Sequence, residues 1–234
     1  MARLHVLVEG DTEERFVDDV LAAYLTSTGY WSVSARQMGP ARERSRRGGV
    51  PKWGRAKREI VNLLREDRNL ILTTMFDYFG MPSAEDARWP GRNSAAAHEF
   101  DSKLPTLHAA ILDDVAAELG AGFDSRRFVA NILLHEFEAL LFSDCALFAT
   151  AIGRPEKEVD LKSIRQRFDT PEHINDIAPP SKRILGLMPS YQKPSQGLLA
   201  AQAIGLNKMR AECPNFSNWL DRLAQARREL DYLR

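Results

Sequence analysis

The sequence predicts an α/β fold: a parallel four-stranded sheet of Rossmann-like type flanked by helices, with a C-terminal helical extension. Three observations carry that prediction. The first half alternates short apolar runs with segments of helical period, glycines and prolines punctuate the changes of period, and the apolar runs stop at acidic residues. Consecutive β-α-β units joined by short right-handed connections leave their strands parallel.

Leu4–Val8 is a continuous apolar run closed by Glu9 and Gly10, as suits a strand buried on both faces. Asp11 or Thr12 is placed to cap the next helix. Its Phe16, Val17, Val20, Leu21, Tyr24 and Leu25 recur at helical spacing until Gly29. Trp31–Met38 reads as a second strand, and 40–54, with Gly48, Gly49, Pro51 and Gly54, reads as a loop. A helix over 55–67 carries Ile60, Val61, Leu63 and Leu64 on one stripe and leads to a third strand, Leu70–Phe76, that stops at Asp77.

Residues 80–100 are rich in Gly, Pro, Ser and Ala without period, so they are expected as an insertion loop over the sheet edge. A helix follows over His98–Leu119 despite Pro105, and Phe128–Leu134 is the fourth strand. It ends in His135-Glu136-Phe137-Glu138, with a helix expected over Ala139–Phe148. The expected division is an α/β domain over 1–150 and a helical extension over 151–234 packed on it. Short proline-separated helices fill the extension. Its last helix presents Phe216, Leu220, Leu223, Ala226 and Leu230 on one side, a stripe for docking on the domain or for a homodimer.

Composition narrows the function. With 234 residues, 44% hydrophobic and 27% charged, the chain is of ordinary globular composition. Lys+Arg and Asp+Glu balance at 32 each, so nucleic-acid affinity has to come from uneven charge. Such unevenness exists: Arg36–Arg58 holds Arg36, Arg42, Arg44, Arg46, Arg47, Lys52, Arg55, Lys57 and Arg58 against Glu43 alone. Within it, Arg44, Arg46, Arg47, Lys52 and Arg55 are expected to neutralise phosphates, and Trp53 to offer a stacking face to a base. The bland alternative for such a run is a solubilising loop.

Two distant cysteines, Cys145 and Cys213, exclude a disulfide framework or a structural zinc site of usual spacing. No stretch approaches the ~18 apolar residues that span a bilayer, and no export signal is evident. Cytoplasmic localisation without membrane contact is therefore expected.

Acids stand at three strand ends: Glu9 with Glu13, Asp77, and Glu136 with Glu138. In a parallel sheet these ends share one edge, where carboxylates distant in sequence converge on a hard divalent cation. The expected cofactor is Mg²⁺ or Mn²⁺, held by Glu9, Asp77 and Glu138. The alternative is that each acid stabilises a helix start and does no chemistry.

Val8-Glu9-Gly10-Asp11-Thr12-Glu13 resembles the opening motif of Toprim domains, especially those of the overcoming-lysogenization-defect nucleases. Their pattern continues with Asp-x-Asp, then a further acidic pair, then a lysine. The matching positions here are Asp77-Tyr78-Phe79, Glu136-Phe137-Glu138 and Lys182. The resemblance, which extends over the chain to a bacterial family grouped with Toprim-like proteins and often encoded beside ATPases, implies a metal-dependent nuclease with catalytic Glu9, Glu13, Asp77, Glu136, Glu138 and Lys182. It also implies a nucleic-acid substrate and an ATPase partner. Phe79 departs from it, standing where the second aspartate belongs, and that departure motivates the alternative of a non-catalytic accessory or sensor module. His135-Glu136 does not begin a zinc protease motif, since Ala139 stands where its second histidine belongs. No glycine-rich phosphate loop is present, so ATP hydrolysis by the chain itself is not expected.

Overall fold

The computed structural model describes residues 2–38, 49–175 and 177–231. Its centre is a parallel sheet of strands β1 (Arg3–Val8), β2 (Ser32–Gln37), β3 (Leu70–Asp77), β4 (Phe128–Val129) and β5 (Ile132–Leu133). The order is β2-β1-β3-β4, with β5 also on β3. The expected fourth strand is thus two segments, and the sheet has five strands rather than four. Both segments keep one register on β3, with Leu72 opposite Phe128 and Phe76 opposite Ile132. Between them threonine hydroxyls replace ladder bonds. Thr73 Oγ1 donates to the Val129 carbonyl, and Thr74 Oγ1 donates to the Asn131 carbonyl while accepting from its N–H.

Alternation along the strands builds two cores, one on each face. Leu4, Val6 and Val8 of β1 join Ile71 and Met75 of β3 in the first, while Leu7 joins Leu70, Leu72 and Phe76 in the second. The first face is covered by α1 (Asp11–Phe16), a π turn at Val17–Leu21 and α2 (Ala22–Ser27). The second is covered by α3 (Trp53–Glu66), α4 (Arg92–Ala96) and α5 (Phe100–Leu119).

Residues 80–99 are folded rather than a bare loop. Trp89 is the reason: it is fully buried, packs on Trp53 and Phe76, and donates its indole N–H to the Pro51 carbonyl.

The helix expected over Ala139–Phe148 also differs. A wholly buried 3₁₀ segment, Phe137–Ser143, comes first, and Asp144 in extended conformation then caps α6 (Cys145–Ala151) by accepting from the N–H groups of Ala146 and Leu147. After α6 come α7 (Glu158–Arg165), α8 (Pro180–Leu187), α9 (Lys193–Ile204), α10 (Leu206–Glu212) and α11 (Pro214–Asp231).

The apolar stripe of α11 docks within the chain. Phe216, Leu220, Leu223 and Ala226 lie in the first core with Val6 and Val8. Trp219, outside the expected stripe, is fully buried and donates to Thr73 Oγ1 at 2.9 Å. No helix among the described residues is long and apolar enough to cross a membrane.

Candidate functional site

Sheet register sets the geometry of the carboxyl edge. Val8 is level with Met75, so Glu9 emerges beside Phe76 and Asp77, and the Asp77 N–H points at Glu9 Oε2 at 3.4 Å. Asp77 is itself level with Leu133 of β5, after which the chain delivers Glu136 and Glu138 to the same edge. Glu13 lies in the first turn of α1 and is buried with Asp77 and Glu138. A turn closed by the Gly80 N–H on the Asp77 carbonyl brings the chain back across Glu9. A Cβ at Gly80 would lie 3.4 Å from Glu9 Oε2 and 3.1 Å from Val50 Cγ2, so a larger residue there would push on the Val50 side chain.

Lys193, the first residue of α9, joins the acids across the first core. Its ammonium lies 3.2 Å from Glu138 Oε2 and 3.5 Å from Glu13 Oε1. Glu138 is completely buried, and neither carboxylate oxygen receives a hydrogen bond of normal geometry; the ammonium is its counter-charge. Beside it, the buried Tyr191 hydroxyl has no hydrogen-bond partner among the described residues. Glu136 differs: its Oε2 accepts the N–H of Ser181 at 2.8 Å, which fixes the start of α8.

The electrostatics follow from burial and mutual repulsion. Burial, then repulsion from Glu13, raises the pKa of Glu9; burial, then Glu9 and Glu13, raises that of Asp77 well above the usual range. Burial raises Glu138 to about 7, against the pull of Lys193. Burial alone would lower Lys193, yet Glu138, Glu13 and Asp77 outweigh it and hold the ammonium protonated above the ordinary lysine range. Four carboxylates and one lysine thus form a single coupled set, with Glu136 adding repulsion from its side. Among the described residues, no group of three or more His, Cys, Asp or Glu side chains has the spacing of a metal site.

The remaining expected positions fall elsewhere. Lys182 is exposed on α8 and has no salt bridge among those of the described residues; the cation that meets the acids is Lys193. Lys52 pairs with Asp86 on the surface. Trp53 is half-buried, its ring 4.8 Å from that of Trp89 and its N–H donated to Asp114. Arg55 is exposed and lines a shallow groove with Arg36 and Arg58. Arg44, Arg46 and Arg47 lie outside the described residues. Sequence reasoning passed over Lys193 and Tyr191. The available signal was Pro194, which marks a helix start and so puts Lys193 at an element end, as the acids are.

Among known proteins, no curated protein matches the chain. A solved structure described as the C-terminal region of the Xanthomonas campestris pv. campestris OLD protein, phased with iodine, aligns over 100% of this chain and 99% of its own, with 17% identity and a TM-score of 0.42. The segment that carries all five acids and Lys193 lies within residues 8–224, which match the family model described as Domain of unknown function (DUF4276), and the chain belongs to that family.

Proposed function

We propose that the carboxyl edge is the active site of a divalent-metal-dependent nuclease of Toprim-like type that hydrolyses phosphodiester bonds. The observation that carries this reading is the convergence of Glu9, Asp77 and Glu138, from three separate strand ends, on one edge with Glu13 and Lys193. A structural role alone accounts poorly for it, because acids that raise one another's pKa cost stability.

In chemistry, though not in their present spacing, the donors suit a hard divalent cation such as Mg²⁺ or Mn²⁺. They are all carboxylate oxygens, and both oxygens of Glu138 are buried, with the Lys193 ammonium 3.2 Å from one of them. Glu9, Asp77 and Glu138 would hold the ion, with Glu13 and Glu136 beside them. When bound, the cation supplies Lewis acidity at the phosphoryl oxygen.

Lys193 takes the charge-stabilising role expected of Lys182, since its ammonium already stands against the acids and stays protonated. Glu136, held by the Ser181 N–H, fixes α8 to the rim. An ATPase partner and a homodimer belong to the same proposal as its cellular setting.

The test is incubation with plasmid, single-stranded DNA and RNA in the presence of Mg²⁺ or Mn²⁺. Cleavage is expected from the native chain and not from Glu9→Ala or Asp77→Ala; unchanged cleavage by either variant refutes the assignment.

A second reading, a non-catalytic accessory or sensor module, is favoured by one observation: Lys193 already neutralises two of the acids, and no three of them have metal-site spacing among the described residues. A missing thermal shift with millimolar Mg²⁺ or Mn²⁺ would support it, because a ligand binding only the folded state raises stability by mass action.

A further inference from the structure

Phe79 stands at the tip of the turn after Asp77 and is 56% exposed, although Asp77 and Tyr78 on its N-terminal side are buried. Its ring is held in place. One face stacks on His135 at 4.9 Å and 13°, and Tyr78 meets it edge-on at 5.1 Å and 86°. His135 immediately precedes Glu136, and Gly80, where a Cβ would lie 3.4 Å from Glu9 Oε2, follows Phe79, so the chain on either side of this stacked pair carries acids of the site. Two cations lie against Tyr78: the Arg92 guanidinium lies 3.8 Å from the centre of the tyrosine ring and donates to its hydroxyl, and the Lys103 ammonium lies 5.4 Å from the ring centre. Trp31, the other highly exposed aromatic among the described residues, lies at the opposite end of the sheet, where its backbone N–H donates to the Ala2 carbonyl.

An aromatic fixed on one face and open on the other, beside cations and next to a phosphodiester site, has the form of a base-stacking platform. We infer that Phe79 stacks an unpaired base next to the scissile phosphate, so that the site takes single-stranded nucleic acid in preference to duplex. The inference rests on the nuclease reading for the identity of its ligand. Paired bases keep their faces covered by their neighbours and present no such surface, whereas Arg92 and Lys103 suit the flanking phosphates of a flexible strand.

The test is fluorescence anisotropy in EDTA with a labelled oligothymidylate, a labelled oligouridylate and a duplex of the same length as the first. Wild-type protein is expected to prefer the single strands. Phe79→Ala is expected to lose about tenfold or more of that affinity, with duplex binding and the unfolding midpoint unchanged and Phe79→Trp retaining it. Binding to only one of the single strands identifies the nucleic acid and leaves the stacking assignment standing. Wild-type protein without strand preference, Phe79→Ala binding as wild type does, or equal loss on duplex overturns it. Failure of the nuclease reading is separable: Phe79-dependent binding without cleavage in Mg²⁺ or Mn²⁺ refutes hydrolysis and supports stacking.

Discussion

Lys193→Met tests the coupled charge set directly. The substitution keeps an unbranched apolar stem and deletes the ammonium that lies 3.2 Å from Glu138 and 3.5 Å from Glu13. Removing one partner of a buried ion pair costs about 3–5 kcal/mol. The Lys193 side chain is 38% exposed, so water replaces part of the lost charge and the expected cost falls to about 2 kcal/mol. In a domain of this size that lowers the thermal midpoint by roughly 4–8 °C.

The sign of the pH dependence follows from Glu138, whose pKa is raised to about 7 in the folded protein. A carboxyl raised on folding costs nothing below its unfolded pKa; the cost accumulates as pH rises from that value to the folded one and is constant above it. Without the ammonium that pKa climbs further, so the deficit of Lys193→Met is greatest near pH ~8 and shrinks below about 1 kcal/mol near pH ~5. Urea unfolding followed by tryptophan fluorescence at the two pH values measures it. Adding Glu138→Gln to the variant should recover more than half of the loss at the higher pH. An equal deficit at both pH values, or strict additivity of the two substitutions, refutes the coupled-site argument.

Asp77→Asn removes a repelled carboxylate, so it should raise stability by about 1 kcal/mol near pH ~8 while abolishing cleavage, the opposition expected of a site that holds strain for function. Calorimetry and the plasmid assay read the two effects. Trp219→Ala should cost about 3–5 kcal/mol in denaturant unfolding, because the indole is fully buried and bonded to Thr73. Gly91→Ala should destabilise by about 1–3 kcal/mol, since Gly91 sits at φ 74° and a Cβ there would lie 2.8 Å from that of Ala110; earlier proteolysis within 80–99 would report it. Glu172 accepts the N–H groups of Asn215 and Phe216 at the start of α11, so Glu172→Ala should cost about 1–2 kcal/mol in urea unfolding.

The sequence alone determined the parallel sheet and the acids on its edge. Runs such as Leu4–Val8 and Leu70–Phe76 are predominantly apolar and glycine- or acid-bounded, and local pattern suffices to read them. Strand ends are local too, so Glu9, Asp77 and the Glu136-Glu138 pair could be assigned to one edge before any distance was known. The partner of those acids was not legible, because Lys193 reaches Glu13 only through the packing of α9 on α1, a contact between segments some 180 residues apart. For the same reason the contact of Trp53 with Trp89, which comes from an aperiodic stretch, was not legible. Phe79 read as a missing ligand in the motif and became an exposed, supported ring only once His135 was stacked beneath it. Short-range hydrophobic period fixes which face of an element is buried; which charge meets which charge is decided by side chains brought together across the core, and that information is spread over the whole chain.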